Sequence, residues 1–305
     1  MFKRILIANR GEIASRVIRI ARRMGIGAVA IGLACAQAQS AVIGQPITIG
    51  TGLTIASKAL GENRTVNVIL PASYAKSATK RLPVLYLIDG GVDQDLLNVA
   101  GVALNGGIWG RSADAIIVGI ETNDRRRELV GPTSDPELLK KYPTAGSSAA
   151  FRAFIRDEVK PLVERDYRTN GVDAVIGESL AGLFIVETYM VEPALFDGYA
   201  AIDPSLWWDK EALSRLAAAK IGARQKDRAL YLAIAKEQSE EPAAVSRVIA
   251  SVRAAGSRLC FNPRADLTHA TIYQQVSPQA LQFLLPPAEA APAEFGFEVQ
   301  CSPKS

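Results

Sequence analysis

The chain has one histidine and three cysteines among its 305 residues. The cysteines form no Cys-x-x-Cys pair and no cluster with the histidine, so the sequence predicts no metal site. No run of 18 or more apolar residues is present, so we expect no membrane-spanning helix. Internal repeats are also lacking. These absences leave a globular domain without a repeat architecture as the expectation.

Apolar residues make up 49% of the chain and charged residues 22%, so a sizeable core can be buried. The formal net charge is +4, but residues 1–38 hold seven of the 35 Lys and Arg residues and one of the 31 Asp and Glu residues. The remainder has 28 basic and 30 acidic residues, about −2. We therefore expect no nucleic-acid partner, and the sequence predicts no particular oligomeric state.

Residues 1–38 have the layout of an export signal. Arg22 and Arg23 precede an apolar run over 25–36, and a small-x-small site follows at 36–38. This order is typical of a secretory signal and predicts a periplasmic or secreted protein. A short buried helix or strand is the alternative.

Cys35 lies inside that apolar run, which leaves Cys260 and Cys301 as a pair. In an oxidising compartment the two would form a disulfide; otherwise they are unrelated thiols.

Alternating apolar runs and helical patterns predict the fold after residue 38. Strands are predicted over 47–55, 65–70, 83–88, 115–120, 174–176, 199–202 and 229–235, and helices over 148–166, 180–191, 243–254 and 278–285. The alternation indicates an α/β fold with a mostly parallel central sheet, antiparallel strands at its front edge, and helices on both faces. We expect this domain over 39–285 and a Pro/Ala-rich tail over 286–305.

The segment Gly177-Glu178-Ser179-Leu180-Ala181 lies between a predicted strand and a predicted helix. That context is typical of the nucleophile elbow of α/β-hydrolases, in which the residues two before and two after the serine must be small. Ala181 stands where glycine is usual, and an ordinary turn with a capping serine is the alternative. We predict Ser179 as a nucleophile.

His269 follows the nucleophile by 90 residues, which agrees with the order Ser, acid, His in α/β-hydrolases. A neutral imidazole can take a proton from a serine hydroxyl near pH 7, so His269 is the predicted base. The acid should follow the strand over 229–235, and we predict Glu237. The alternatives are Glu240, Glu241, Asp209 or a Ser–His dyad without an acid.

The oxyanion hole requires two backbone N–H groups. We predict that of Leu180, directly after the nucleophile, and that of Gly91 or its neighbour Val92 in the turn after the strand over 83–88.

Residues 45–285 resemble the esterase family of α/β-hydrolases that includes enterobactin-type siderophore esterases and S-formylglutathione hydrolase relatives. The stretches that carry the resemblance are Leu60–Val66 with Leu70-Pro71, Leu82–Gly90, Val118–Ile120 with Asn123–Leu129, Phe154–Glu158 with Asp166–Thr169, and Asp203–Asp209. The resemblance implies a serine esterase that forms an acyl-enzyme on a small-molecule ester, including a siderophore trilactone, and needs no cofactor. Ala181, Glu128 and Asp203 depart from the family pattern, the last from a usual serine.

Arg125, Arg126 and Trp208 are the predicted substrate-binding residues. The two arginines would meet an anionic ligand and the tryptophan would line its pocket. The alternatives are a solvated charge run and an aromatic pair divided between core and surface. An acyltransferase and an inactive ligand-binding protein on the same fold are the competing functions.

The first thirty residues, beginning Met1-Phe2-Lys3-Arg4-Ile5, resemble the start of biotin carboxylases, in which a strand runs into a helix. No further part of an ATP-grasp enzyme follows. We therefore predict no carboxylase activity and interpret this piece as a fusion or an upstream extension.

Overall fold

The computed structural model describes residues 3–7, 11–30, 46–240 and 243–302. The chain divides into two compact units, residues 1–48 and 49–305. Among the described residues, none of the helices is both long enough and apolar enough to cross a bilayer.

The small unit is a β–α–β arrangement. Strand β1 (Arg4–Ile7) is followed by helix α1 (Gly11–Arg23) and by β2 (Gly27–Ala30), which pairs with β1 in parallel. This is the strand and helix that the resemblance to biotin carboxylases implied. Residues 31–45 lie outside the described part of the chain, with Cys35 and the small-x-small site among them. The export signal therefore stays a prediction.

The large unit is built on an eight-stranded sheet in the order β10-β9-β8-β7-β5-β6-β4-β3. The strands are β3 (Thr51–Ser57), β4 (Glu62–Ile69), β5 (Leu82–Ile88), β6 (Ile116–Ile120), β7 (Thr169–Glu178), β8 (Gly198–Ile202), β9 (Ala229–Ala235) and β10 (Arg258–Arg264). All pairs from β10 to β6 are parallel, and β4 pairs antiparallel with both β6 and β3. The predicted mostly parallel sheet with an antiparallel front edge is confirmed.

Helices cover both faces of this sheet. They are α2 (Ala72–Lys76), α3 (Leu96–Ile108), α4 (Arg125–Glu128), α5 (Pro136–Lys141), α6 (Ser148–Phe154), α7 (Lys160–Asp166), α8 (Leu180–Val191), α9 (Trp208–Arg215), α10 (Ala217–Lys220), α11 (Lys236–Glu240), α12 (Ala243–Ala254) and α13 (His269–Leu284). A π-helical turn over Ile155–Val159 joins α6 to α7. Successive side chains of a strand point to opposite faces. Tyr86 of β5 accordingly packs in the core that contains α6, α8 and α12, whereas Leu85 and Leu87 pack with α3 and α13.

Two elements near the C-terminal end differ from the predictions. Strand β10 was not predicted, because its residues include Arg258, Asn262 and Pro263. A proline is tolerated there because β10 is the edge strand of the sheet. Helix α13 begins at His269 rather than at residue 278, so Pro278 lies inside the helix.

The tail over 286–302 packs on the large unit. The expected disulfide is present between Cys260 of β10 and Cys301. The backbone of the tail is also held by α13, since Gln279 Oε1 accepts from Gln300 N–H at 2.9 Å and Gln282 Nε2 donates to Phe297 O at 2.8 Å.

Candidate active site

Ser179 lies at the turn between β7 and α8, with φ 61° and ψ −119°. This is a strained conformation for a residue with a side chain, and it is the backbone that a nucleophile elbow requires. A Cβ on Gly177 would lie 2.7 Å from the Ala181 Cβ, so the turn closes only because residue 177 has no side chain. The alanine at position 181 therefore fits the elbow.

His269 is the first residue of α13, and its Nδ1 lies 2.5 Å from Oδ2 of Asp203. The carboxylate is almost fully buried, whereas the imidazole is half exposed. The hydrogen bond to Asp203 raises the pKa of His269 above its usual 6.5, because the carboxylate stabilises the imidazolium. An imidazole held in this way can accept a proton on its other nitrogen.

The acid in contact with the imidazole is thus Asp203, at the end of β8, and not the predicted Glu237. Glu237 lies in the exposed first turn of α11. The end of β9 and the start of α11 instead hold this carboxylate in place. Asp203 Oδ1 accepts from Ala235 N–H at 2.8 Å and from Gln238 Nε2 at 2.6 Å. Asp209, an alternative acid, lines a cavity beside Trp208.

Backbone hydrogen bonds connect Ser179 to the segment that carries Asp203. Ser179 N–H donates to Ile202 O at 3.0 Å, and Ser205 N–H donates to Ser179 O at 3.0 Å, so these two bonds bracket Asp203. In the described residues, the partner of the Ser179 hydroxyl is Ser205 Oγ at 3.3 Å rather than the imidazole. Catalytic hydrogen bonds are often long in the absence of substrate and tighten only in the complex.

The two predicted donors of the oxyanion hole, the N–H groups of Leu180 and Gly91, differ in whether they already form a hydrogen bond. Leu180 opens α8, so its N–H has no partner within the helix. Gly91 N–H instead donates to the side chain of Gln94 at 2.9 Å. Among the described residues, the N–H of the alternative, Val92, has no hydrogen-bond partner. The structure therefore favours Val92 over Gly91 as the second donor.

Acidic side chains surround the elbow. Glu178 precedes the nucleophile, and burial raises its pKa to about 7. Burial raises the pKa of Asp95 to about 6. Tyr273, one turn after His269, is buried, and its hydroxyl has no hydrogen-bond partner in the described part of the chain; burial raises its pKa as well. Titratable groups perturbed in this way concentrate at functional sites.

The three consecutive arginines of α4 have three different environments. Arg125 reaches the site, because its Nε donates to Asp89 Oδ2 at 2.9 Å and its Nη2 to Glu178 O at 3.5 Å. Arg126 lies over the ring of Tyr142, 4.7 Å from its centroid. Arg127 is bonded to Glu62 and Glu128, so it belongs to a structural ion-pair cluster.

Trp208 is 5% exposed and Trp207 is 59% exposed, with their ring centroids 6.1 Å apart. Trp208 stacks on Tyr142 at 5.7 Å and forms a wall of a cavity of about 210 Å³. Leu183, one turn after the nucleophile, forms another wall. The structure thus places Trp208 at a cavity, and its role in binding substrate stays a prediction.

A strand–serine–helix elbow, followed along the chain by a carboxylate-bound histidine, defines an α/β-hydrolase. The family model described as "Putative esterase" matches residues 57–260, and the chain belongs to this family. The predicted family is therefore confirmed. The matched range contains Ser179 and Asp203, whereas His269 follows it.

Two known proteins illustrate the similarity. The ferri-bacillibactin esterase BesA of Bacillus subtilis (strain 168) is 30% identical over 168 residues, which are 49% of this chain and 56% of that protein. The chain thus spans about half the length of this relative. The crystal structure of an IroE-like serine hydrolase from Shewanella oneidensis superposes with a TM-score of 0.66 at 24% identity, covering 75% of this chain and 77% of the other.

The first residues match a different family. The model of the biotin carboxylase N-terminal domain matches residues 1–46. The propionyl-CoA carboxylase alpha chain of Ruegeria pomeroyi is 74% identical over 31 residues, which are 10% of this chain and 5% of that protein. The resemblance of the opening segment is confirmed, and it is confined to that segment.

Proposed function

We propose that the chain is a serine carboxylic-ester hydrolase with Ser179, His269 and Asp203 as its triad. The observation that carries the proposal is the 2.5 Å contact between Asp203 and His269, made by a buried carboxylate two residues before Ser205, which itself touches the Ser179 hydroxyl. This reassigns the acid from Glu237 to Asp203. The second oxyanion donor is reassigned from Gly91 to Val92.

The reaction follows from these positions. Ser179 Oγ attacks the ester carbonyl while His269 Nε2 takes its proton, and Asp203 stabilises the imidazolium through Nδ1–H. The negative oxygen receives hydrogen bonds from the N–H groups of Leu180 and Val92. The imidazolium then protonates the departing alcohol, and an acyl-enzyme remains. A water molecule, deprotonated by the same imidazole, releases the acid and restores Ser179.

The arginine and aromatic side chains around Tyr142 favour an anionic aromatic ester, such as a siderophore. Arg126 lies over the ring of Tyr142, and Trp208 packs against the same ring while Trp207 remains exposed. Arg125 lies nearer the elbow, where its Nη2 donates to Glu178 O. Cations and aromatic rings together bind planar anionic ligands well. The names of the relatives, a ferri-bacillibactin esterase among them, agree with this substrate class.

The cellular location belongs to the proposal as well. A disulfide between Cys260 and Cys301 requires an oxidising compartment, and the first 38 residues have the layout of an export signal. We infer a periplasmic or secreted enzyme. Mass spectrometry of the exported protein tests this, since a product beginning near residue 39 is expected and retention of the full chain in the cytoplasm contradicts it.

The activity is tested with p-nitrophenyl butyrate and with a fluorophosphonate label. The wild-type chain should hydrolyse the ester and carry the label on Ser179, and Ser179→Ala should lose both. Absence of the adduct from the wild type would favour an inactive ligand-binding protein. A panel of short acyl esters, siderophore trilactones and S-formylglutathione then identifies the substrate class, with the trilactones expected to give the highest kcat/KM.

A further inference from the structure

One side chain fixes the turn that follows β5. Gln94 Oε1 accepts from Gly91 N–H at 2.9 Å and from Thr122 N–H at 3.4 Å. Its Nε2 donates to Thr122 O at 2.8 Å and to Thr122 Oγ1 at 3.3 Å. A single amide thus satisfies both its acceptor and its donor, and it ties the turn to the residue two positions after β6.

The packing of this amide explains the glycine at position 91. A Cβ there would lie 2.9 Å from Gln94 Oε1 and 3.0 Å from Gln94 Cδ. It would also lie 3.1 Å from Glu121 Cγ. The amide can therefore approach the Gly91 N–H only because residue 91 has no side chain.

The same turn determines which N–H groups remain free. Gly90 N–H donates to Ile120 O at 2.8 Å, and Gly91 N–H donates to Gln94. Val92 N–H comes next in the turn, and among the described residues it has no hydrogen-bond partner. An oxyanion hole works because its donors are oriented before the reaction and are not bonded elsewhere.

We propose that Gln94 is a positioning residue of the oxyanion hole: by occupying the Gly91 N–H and anchoring the turn to Thr122, it directs the Val92 N–H to the developing oxyanion. This inference rests on the proposed serine hydrolase activity. It accounts for an amide rather than a carboxylate at position 94. Glutamate could not donate to Thr122 O when ionised, and it would place negative charge beside the oxyanion.

The first test compares Gln94→Ala and Gln94→Glu with the wild type. We expect kcat to fall about 10- to 100-fold while KM changes less than about threefold, since the lost interaction acts in the transition state. Affinity for an arylboronic acid, which forms a tetrahedral adduct on the serine, should fall in proportion to kcat/KM. Gln282→Ala is the matched control, because it removes a part-buried amide of α13 away from the site. It should leave kcat unchanged.

The second test removes the Val92 N–H itself. Val92→Pro lacks this donor, and Val92→Ala, which truncates the same side chain and keeps the N–H, is its reference. The proline variant should have a kcat about 100- to 1,000-fold below that of the alanine variant. Circular dichroism and the melting temperature establish that both variants are folded. If Val92→Pro does not fold, the boronate affinity of the Gln94 variants decides whether Gln94 positions the oxyanion hole.

The outcomes separate this inference from the function on which it depends. A wild type that neither hydrolyses esters nor takes the fluorophosphonate label would overturn both. An active wild type with Gln94→Ala unchanged in kcat and boronate affinity would overturn the role of Gln94 alone. A kcat that falls while boronate affinity is retained would also contradict the role of Gln94, because the loss would then arise outside the oxyanion hole.

Discussion

Two buried clusters of charged side chains lie at the same end of the sheet, and they are built in opposite ways. In the first, Arg64 donates from both Nη atoms to the two oxygens of Glu128 at 2.8 Å, and both side chains are fully buried. Glu62 and Arg127 complete the cluster. Two cations thus face two carboxylates.

The second cluster, around Ser179, has an excess of acid. Asp89, Asp95, Glu178 and Asp203 share the region with Arg125 and His269. Glu178 Oε1 is buried, and none of the residues that the structure describes forms a hydrogen bond with it. The first cluster has charge balance and fixes β4 to α4, whereas the second retains groups that titrate near neutral pH. We conclude that, of these two clusters, the one with unbalanced charge is the candidate reactive site.

The largest expected effect is a loss of activity on substitution of Asp203, in the second cluster. Asp203→Asn should lower kcat/KM by about 10³- to 10⁴-fold, because the amide no longer stabilises the imidazolium or selects its tautomer. Steady-state hydrolysis of p-nitrophenyl butyrate measures the loss. Glu237→Gln is the matched variant and should remain within about twofold of the wild type. A large loss in Glu237→Gln together with an active Asp203→Asn would return the acid to Glu237, and equal losses would contradict the assignment to Asp203 alone.

The next effect falls on the first cluster and on stability. Glu128→Gln leaves the buried Arg64 without its full countercharge and should lower the free energy of unfolding by about 3–5 kcal/mol. Urea denaturation measures this change. Arg165→Ala breaks an exposed pair with Asp166 and should leave the free energy of unfolding nearly unchanged, because water screens such a pair. If Glu128→Gln were as mild as this control, the first cluster would not be a structural one.

The smallest effect concerns Glu178, whose pKa in the folded chain is raised to about 7 from 4.5. The folded state therefore favours the protonated form, and this contribution to stability is present below pH 4.5 and lost as the pH rises through 7. Glu178→Gln should be more stable than the wild type at pH 8 by about 1–3 kcal/mol, and no more stable at pH 4. Thermal melts at both pH values measure the difference, and a difference independent of pH would contradict it.

The same variant should also change the pH dependence of hydrolysis. His269 acts as a base only when neutral, and the Glu178 carboxylate raises its pKa. Removing the carboxylate should shift the rise of kcat/KM to lower pH by a few tenths of a unit. A pH–rate profile of the two proteins measures this, and a shift toward higher pH would show that the two groups do not interact as placed.

The sequence was sufficient for the parts of the site that depend on local pattern. The elbow was predicted because glycine, serine and alanine occur at fixed spacing between an apolar strand and an apolar helix. The fold was predicted because its buried strands are continuous apolar runs. His269 was singled out because the chain has no second histidine.

The remaining assignments depend on contacts between distant segments. Asp203 and Glu237 both follow a strand, and the carboxylate that contacts the imidazole lies 66 residues before it, which no local pattern indicates. The sequence could not show that the side chain of Gln94 accepts the hydrogen bond of the Gly91 N–H, which makes this N–H unavailable as an oxyanion donor. The arginine run also gave no indication that Arg127 would turn toward Glu62, since neighbouring residues on a short helix face different directions.

The strained elbow has a consequence for the whole molecule. Asp89, Ser179 and Asp203 all have positive φ, and each lies at the carboxyl end of one of the central strands. Residues with side chains are held in this region at a cost of about 1–3 kcal/mol each. Glycine at these three positions would relax the backbone while deleting a hydroxyl and two carboxylates. Substitutions that raise thermostability at these three positions would therefore lower turnover. Engineering for thermostability should keep all three residues unchanged.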